Sequence, residues 1–330
     1  MNNKYLIIYH KEDNDGLFAG AIAYNYLKHE FTLETTIELF GASYNDLSNI
    51  TDEWLITWKD NYNGIIMVDI SFDSKRMKQL YEDFGNNFVW IDHHAPIIKE
   101  SYEKKFDECV GIRQTDRSAL LLTYKYLYDP FDEKYNNKKV NELLRILSAY
   151  DSWTYEKEGY TLDYVMAINK AVTYTYDLDF DKCVDICYKM LYTDTITSKD
   201  IGAFHVIGSS LVNYDKLSYK NLIQNNGDFN WVVESPKNEF NNRSACALFI
   251  QGPSSSIIFE TCKDIVDNGI IFKRNPDTTW TISLYNTKNE DDFHCGEYLK
   301  KKYKGGGHKG AAGCTISEKK FLKILKNKRI

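Results

Sequence analysis

Three short apolar runs, each followed at once by acidic or histidine residues, constrain the fold of this chain more than any other feature. The runs cover residues 5–9, 64–68 and 88–91, and each consists of aliphatic and aromatic side chains without polar alternation. Runs of this kind are typical of strands that are buried on both faces of a parallel sheet. Segments with helical character separate them, over 17–30 and 74–84. This order predicts an α/β domain built on a parallel sheet.

The residues at the ends of these runs carry the chemistry. In open parallel sheets, ligands bind outside the carboxyl ends of the strands, which is where the polar residues fall. Oxygen and imidazole ligands without thiolates suit Mn²⁺ or Mg²⁺ better than structural zinc, and clustered carboxylates repel one another unless cations neutralise them. Taken singly, each such residue is more often a turn former or a strand-end cap, but the set predicts a site for two cations. Its members are His10, Asp13, Asp15, Asp69, Asp92, His93, His94 and Asp151.

The rest of the chain predicts a helical region and then a second, smaller α/β domain. Past residue 115 the pattern turns helical, with Ser118 in the stretch Asp116 to Ser118 that offers an N-cap, and with Asp151 at the end of the helix expected over 138–150. Strand character returns from residue 229 onward. We therefore expect three parts, namely a metal-binding catalytic domain, a helical connector and a substrate-binding domain, over 1–190, 191–228 and 229–330.

Composition excludes several classes of protein. Among 330 residues, only 18 are Gly and 5 are Pro, so the chain is neither collagen-like nor Pro-rich and disordered, and no apolar stretch is long enough to span a membrane. The seven cysteines include no CxxC pair, which argues against a disulfide framework or a structural zinc site. Cys183 and Cys187 fit one buried helix face better than a metal site. These features predict a cytoplasmic protein without a membrane partner.

Charge is distributed unevenly along the chain. Residues 299–330 hold 11 Lys and Arg but a single acid, Glu318, while the whole chain has a net charge of −6. The part before residue 299 is therefore strongly acidic and would repel long polyanions, so a small phosphorylated substrate fits better than duplex nucleic acid. Aromatic residues, at 15%, can also stack on a base, although core packing is expected for Trp90 and Trp153.

A glycine segment near the C-terminus is a candidate phosphate site. Gly305, Gly306 and Gly307 precede His308, and backbone amides without a neighbouring Cβ can approach an anion closely. The alternative is a glycine-rich turn between a helix and a strand. Arg113 and Arg243 are candidate phosphate clamps, because guanidinium matches phosphate bidentately, although each would also suit a surface salt bridge.

Together these motifs resemble the DHH phosphoesterases with a C-terminal DHH-associated domain, a group that includes RecJ-related and nano-RNase or oligoribonuclease-like phosphodiesterases. By this resemblance, Asp69 would bridge two Mn²⁺ ions, Asp92 would orient its neighbours, and His94 would face the scissile phosphate. The glycines and His308 would bind the nucleotide end of the substrate. The resemblance assigns His10, Asp13 and Asp69 to one ion, and Asp15, Asp69, His93 and Asp151 to the other. It rests on His10-x-x-Asp13-x-Asp15-Gly16, Val68-Asp69-Ile70-Ser71, Asp92-His93-His94, Asp151 and GGGHKGAAG at 305–313.

The resemblance implies a Mn²⁺-dependent phosphodiesterase, with Mg²⁺ or Co²⁺ as alternative ions. It would hydrolyse short single-stranded oligonucleotides or cyclic or linear dinucleotides to 5′-mononucleotides, using water activated by two metals. A phosphomonoesterase acting on 3′-phosphoadenosine 5′-phosphate, or an enzyme acting on polyphosphate or pyrophosphate, would use the same metal site. A catalytically silent nucleotide sensor is the alternative from another class. The chain alone is compatible with a monomer or a homodimer.

Overall fold

The computed structural model describes residues 3–30, 35–128, 140–234, 242–251, 258–259, 262–288, 293–307 and 309–330. The chain divides into two compact units, Met1–Val212 and Asn213–Ile330. Within the described residues, no helix has both the length and the apolar character that a membrane span requires.

The first unit contains a four-stranded sheet in which all strands are parallel. Its strands are β1 (Asn3–His10), β2 (Thr35–Ala42), β3 (Gly64–Val68) and β4 (Phe88–Ile91), in the order β2-β1-β3-β4. The three apolar runs form β1, β3 and β4, which confirms the predicted parallel sheet. The sequence pattern did not predict β2. This edge strand buries only its last residue, Ala42, so it lacks the continuous apolar run that marks the others.

Both faces of this sheet are covered, which explains why its inner strands are apolar without alternation. Along β1, Ile7 and Tyr9 pack into one hydrophobic cluster, while Leu6 and Ile8 pack into another on the opposite face. Successive strand residues point to opposite faces, so two covered faces require an apolar residue at every position.

The helices of the first unit lie between the strands or in the long segment that follows β4. Between α9 and α10 lies one π-helical turn, Lys189–Thr193. The last helix, α10, contains the limit between the two compact units. The helices are α1 (Asn14–Glu30), α2 (Tyr44–Ser48), α3 (Asp52–Asn61), α4 (Ser74–Phe84), α5 (Ala95–Lys104), α6 (Ala119–Leu127), α7 (Glu142–Asp151), α8 (Leu162–Tyr176), α9 (Phe180–Tyr188) and α10 (Ser198–Asn226).

The second unit is a smaller α/β unit with a mixed six-stranded sheet. The strand order is β5-β6-β7-β8-β10-β9, in which β6 and β7 are parallel and the other neighbours antiparallel. The elements are β5 (Asp228–Val233), β6 (Arg243–Phe249), β7 (Asn268–Arg274), β8 (Trp280–Asn286), α11 (Cys295–Tyr303), β9 (Gly306–Gly307), β10 (Ala311–Ile316) and α12 (Glu318–Asn327). The α/β class predicted for the chain is confirmed, whereas its division after residues 190 and 228 stays a prediction.

Two expectations about single side chains had different outcomes. Cys183 and Cys187 are fully buried in α9, as expected for an apolar helix face, and all seven cysteines are free thiols. Trp90 is fully buried in β4, but Trp153 is 42% exposed, so the expectation of core packing is wrong for Trp153. Trp153 lies just beyond α7 in a left-handed backbone conformation, with φ 55°, within a surface turn rather than an element of the core.

Candidate metal centre

The strand order places the predicted ligands at one edge of the first sheet. Strands β1 and β3 are neighbours at the middle of the sheet. Strand β2 lies on the outer side of β1, and β4 lies on the outer side of β3, so the strand order reverses between β1 and β3. A ligand crevice forms at the carboxyl ends of the strands where the order reverses in this way. Asp13 and Asp15 follow β1 and Asp69 follows β3, so the acidic residues lie at this point.

Asp69 occupies the centre of the site in a strained backbone conformation. Its φ is 58°, and its amide donates a hydrogen bond of 3.0 Å to the carbonyl of Ile91 in β4. Its side chain is almost fully buried. A left-handed conformation at a non-glycine residue costs of order 1–3 kcal/mol and is found mainly at functional sites, although Asp and Asn tolerate it better than most residues.

Three overlapping groups of side chains surround Asp69, each with ligand atoms that all lie within 4.8 Å of one another. Asp69 belongs to two of these groups, and His93 also belongs to two, so the groups form one continuous centre. The groups are His10 with Asp13 and Asp69, Asp69 with His93 and His94, and Asp15 with His93 and Asp151.

His10 and Asp13 form one side of the centre. His10 Nδ1 lies 2.9 Å from Asp13 Oδ2 and 3.6 Å from Asp69 Oδ2. Asp13 Oδ1 accepts a hydrogen bond of 2.9 Å from the amide of Gly16. A Cβ at Gly16 would lie 2.2 Å from the carbonyl oxygen of His10, so only glycine lets α1 begin this close to the end of β1.

His93 holds the opposite side together. Its Nε2 lies 3.6 Å from Asp15 Oδ2, 3.3 Å from Asp69 Oδ1 and 3.4 Å from Asp151 Oδ2. Asp151 is the last residue of α7, so three separate parts of the chain meet at one imidazole.

Asp15 has a second role that the sequence did not predict. Its two carboxylate oxygens accept hydrogen bonds of 2.8 Å from the amides of Ala119 and Leu120, at the start of α6. Ser118 is the N-cap residue, as predicted, but its own side chain makes no capping hydrogen bond. Asp15 therefore caps α6, although it lies more than 100 residues earlier in the chain. Each of its carboxylate oxygens still has a lone pair that can bind a metal.

Asp92 orients the two histidines that follow it. The fully buried Asp92 Oδ1 accepts hydrogen bonds from the amides of His93 (2.7 Å) and His94 (3.0 Å). His94 Nδ1 lies 2.7 Å from the same oxygen, and the Trp90 indole donates to Asp92 Oδ2 at 3.2 Å. These contacts fit the positioning role expected for Asp92.

The acidic residues of the centre stabilise positive charge, which raises the pKa values of its histidines. Burial alone would lower the pKa of His10, but contacts with Asp13 and Asp69 raise it to about 11. The pKa of His93 is likewise raised to about 11, since Asp69, Asp151 and Asp15 outweigh its burial. Burial raises the pKa of Asp151 to about 7. Without metal, therefore, protons on the histidines neutralise part of the carboxylate charge.

Two buried oxygen atoms without hydrogen-bond partners favour metal binding. Asp69 Oδ1 and Asp151 Oδ2 are buried and accept no hydrogen bond from the described part of the chain. Buried carboxylate oxygens without partners are costly, and a divalent cation would satisfy them. The donor set, with carboxylates and imidazoles but no thiolate, fits a hard or borderline divalent cation.

Arg113, one of the two predicted phosphate clamps, makes internal contacts. Its guanidinium donates to the backbone carbonyls of Trp90 (3.0 Å), Asp107 (2.9 Å) and Cys109 (2.6 Å), and it lies over the Trp90 ring. These contacts hold the segment after α5 against β4, and the clamp role of Arg113 stays a prediction.

Arg243 also makes internal contacts. It lies in β6 of the second unit, where its Nε donates to Asn268 Oδ1 at 2.9 Å and its guanidinium stacks over the ring of Phe293, 4.9 Å from the centroid. Its contacts therefore hold the sheet and the start of α11 together, and the clamp role stays a prediction.

The glycine segment of the second unit has a packing explanation for two of its three glycines. Gly307 has φ 136°, and a Cβ at Gly305 would lie 2.4 Å from the carbonyl oxygen of Gly313. A Cβ at Gly306 would meet nothing within 4 Å. The segment links α11 to β10, as the turn interpretation expected, and the predicted His308 lies outside the described residues. The phosphate-binding role of the segment stays a prediction.

Tyr44 is a further side chain at the centre that the sequence analysis missed. It follows β2, and its ring centroid lies 5.9 Å from that of His10 and 6.2 Å from that of His94. The pattern Ser43-x-x-Asp46, which predicts a helix start, could have located it. Because the sequence pattern did not predict β2, it could not place this helix start near the predicted metal ligands.

Comparison with known proteins identifies the family. Residues 4–149 match the model described as the DHH family, N-terminal domain. This part of the chain therefore contains a domain of the DHH family. Its enzyme class is therefore that of a metal-dependent phosphoesterase, as expected from the motifs. The family match ends before the second unit, so the assignment of residues 229–330 as a DHH-associated domain stays a prediction.

Individual relatives of this DHH protein are distant. The uncharacterized protein R106 of Acanthamoeba polyphaga mimivirus is 22% identical over 324 residues, which cover 94% of this chain and 67% of the relative. A solved DHH domain described as a member of the s1p family of ribosomal proteins is 15% identical with a TM-score of 0.55, covering 99% of this chain and 85% of that one.

RecJ from Thermus thermophilus, solved in complex with Mn²⁺, is 13% identical with a TM-score of 0.52. The similarity covers 99% of this chain and 51% of RecJ, so this chain spans about half of that protein. At these identities the two structural similarities support the fold.

Proposed function

We propose that this DHH protein is a Mn²⁺-dependent phosphodiesterase that hydrolyses short single-stranded oligonucleotides or dinucleotides to 5′-mononucleotides. The observation that carries the proposal is the set of three overlapping ligand groups around Asp69, at the carboxyl edge of the first sheet. The acidic character of the chain before residue 299 favours a small substrate over a long polyanion, because bound cations neutralise the centre only locally.

The ligand division follows the geometry around the two histidines. His10, Asp13 and Asp69 would hold one ion, and the other would lie among Asp15, Asp69, His93 and Asp151. Asp69 suits the bridging position because its Oδ2 faces His10 and its Oδ1 faces His93, at 3.6 and 3.3 Å. Mixed carboxylate and imidazole ligation favours Mn²⁺ over Mg²⁺, with Co²⁺ as a further candidate.

Two divalent cations in such a site supply a water that is nucleophilic at neutral pH and a clamp for charge on the phosphate oxygens. The chain's own contribution is to hold the ligands and to place a proton donor. His94 is less buried than His93, and its Nδ1 is bound to Asp92. Asp92 outweighs the effect of burial and raises the pKa of His94, so the imidazolium can donate a proton to the leaving oxygen.

In the second unit, Gly306 and His308 are the proposed contacts for the nucleotide end of the substrate. Gly306 fits because its Cα faces open space, so its backbone is accessible to an anion. The lysine-rich stretch around it adds favourable long-range potential for a phosphate group.

A substrate panel tests the proposal. With Mn²⁺, we expect turnover of linear dinucleotides and short single strands, measured by the release of 5′-mononucleotides. Cyclic dinucleotides, 3′-phosphoadenosine 5′-phosphate and polyphosphate complete the panel. Hydrolysis of only the last two would contradict the proposal and favour a phosphomonoesterase or polyphosphatase. Nucleotide binding without turnover of any member would favour a sensor.

A further inference from the structure

The short helix α2, which follows the edge strand β2, brings a further side chain to the candidate metal centre. Tyr44 begins α2 directly after this strand, and its ring meets the His10 ring at 53° and the His94 ring at 86°. It is nevertheless 47% exposed, so part of the side chain faces solvent. Tyr44 thus contacts two imidazoles of the centre and is also accessible to solvent.

A local hydrogen-bond network fixes the backbone at Tyr44. The amide of Ser43 donates to Asp46 Oδ2 at 2.8 Å, and the amide of Asp46 donates to Ser43 Oγ at 3.2 Å, which forms a capping box around Tyr44. Lys11 Nζ lies 2.7 Å from the same Asp46 oxygen, and the Lys11 amide donates to the carbonyl of Ala42 at 3.1 Å. Residues on both sides of Tyr44 are thereby tied to the residue that follows His10.

The carboxylates of Asp92, Asp69 and Asp13 lie close enough to the Tyr44 hydroxyl to act on it electrostatically. The hydroxyl is a neutral phenol at neutral pH, because the ordinary pKa of tyrosine is about 10. Within the described part of the chain, no residue hydrogen bonds to this hydroxyl. A neutral O–H near carboxylates does not compete with them for cations, but it can donate to an anionic oxygen that the cations bring into the site.

We propose that Tyr44 is a substrate-contacting residue whose hydroxyl donates a hydrogen bond to a non-bridging oxygen of the scissile phosphate. This inference rests on the proposed phosphoesterase function and adds a donor to it. The ring, packed against His10 and His94, positions the hydroxyl and limits the width of the phosphate site. The contact is to phosphate rather than to base, so it applies to every phosphodiester that enters.

Two substitutions separate the hydroxyl from the ring. Tyr44→Phe removes only the hydroxyl, and Tyr44→Leu also removes the ring contacts. Tyr174→Phe is the matched control, because Tyr174 is a more exposed tyrosine of the same unit. The measurements are kcat/KM with Mn²⁺ for a dinucleotide and for bis-p-nitrophenyl phosphate, the bound Mn²⁺ by elemental analysis, and the affinity of the Mn²⁺-loaded protein for inorganic phosphate by calorimetry.

For Tyr44→Phe we expect unchanged Mn²⁺ content, a loss of about tenfold or more in kcat/KM on both diesters, and a similar loss in phosphate affinity, as for one hydrogen bond to a charged group. Tyr174→Phe should match the wild type in each measurement. If Tyr44→Phe also matches the wild type, the proposal is overturned. If Tyr44→Leu then loses activity on the dinucleotide alone, the ring stacks on a base instead.

The two readouts separate this inference from the proposed function. If the wild type cleaves no diester, and Tyr44→Phe nevertheless binds inorganic phosphate more weakly than the wild type, the proposed activity is refuted and the phosphate contact is retained. A wild-type protein that cleaves dinucleotides, with Tyr44→Phe unchanged in both rate and phosphate affinity, would retain the activity and refute the contact.

Discussion

Sequence motifs marked both the candidate metal centre of the first unit and the glycine segment of the second unit. The two differ in whether contacts within the protein explain their residues. Around Asp69, two buried carboxylate oxygens accept no hydrogen bond from the residues that the structure describes, which packing alone does not explain. At Gly305 and Gly307, close backbone contacts and a positive φ account for the glycines without any ligand. Unsatisfied charge therefore points to a ligand, whereas a glycine motif can arise from packing.

The largest effect should come from Asp69→Asn. Asparagine tolerates the left-handed backbone of this position, so the substitution removes charge without the strain that alanine would add. We expect loss of bound Mn²⁺ and a fall in kcat of at least about 100-fold, more than is typical for residues that merely support a ligand. Asp73→Asn, at the exposed N-cap of α4, is the matched control and should leave both unchanged. Full Mn²⁺ content in Asp69→Asn, by elemental analysis, would remove Asp69 from the ligand set.

Metal removal should destabilise the first unit. A cation that binds only the native state adds about 2.7 kcal/mol when its concentration is 100 times its dissociation constant. We therefore expect a clearly higher Tm with Mn²⁺ than with EDTA, measured by calorimetry. Coinciding Tm values would show that the ligand groups bind no Mn²⁺.

The affinity of the protein for Mn²⁺ should depend on pH. In the metal-free protein the pKa values of His10 and His93 are raised to about 11, and that of Asp151 to about 7. Ligands must lose these protons to bind metal, so Mn²⁺ affinity should rise with pH up to about 11, most steeply below about 7, where Asp151 is also protonated. At neutral pH, the enthalpy of Mn²⁺ binding, measured by titration calorimetry, should therefore differ between two buffers of different ionisation enthalpy. Identical enthalpies would mean that no protons are released.

A smaller effect should separate the two roles of Asp15. Asp15→Ala and Asp15→Asn remove the same charge, but only asparagine keeps an acceptor for the α6 amides. In EDTA we expect the free energy of unfolding of the alanine variant to be lower by about 1–2 kcal/mol, the usual value of a helix cap. Urea denaturation measures this difference. Equal stabilities would show that the hydrogen bonds to Ala119 and Leu120 contribute nothing to stability.

The smallest effects test the glycine segment and its neighbour. Gly306→Ala should leave Tm unchanged, because a Cβ there meets nothing within 4 Å, whereas Gly305→Ala should lower Tm. His308→Ala should keep the Mn²⁺ content and lower kcat/KM for a dinucleotide by about tenfold, with a much smaller loss on bis-p-nitrophenyl phosphate. If both His308→Ala and Gly306→Ala match the wild type on the dinucleotide, the segment is a structural turn only.

Much of the first sheet was predictable because burial leaves a local mark on the sequence. Strands β1, β3 and β4 are covered on both faces and show uninterrupted apolar runs, whereas β2 lies at the edge and was missed. Trp153 was misjudged for a related reason. Its apolar side chain predicted burial, but the turn after α7 leaves it exposed.

Sequence by itself determined which side chains follow the strand ends, since strand periodicity and the residues that stop it are local properties of the chain. Only the tertiary structure decided which of them meet. It placed β2 beside β1, which brings Tyr44 to His10 and His94, and it paired Asp15 with amides 104 and 105 residues away. It also assigned Arg113 to backbone carbonyls. Such contacts depend on how separate elements pack together, and no short stretch of residues carries that information.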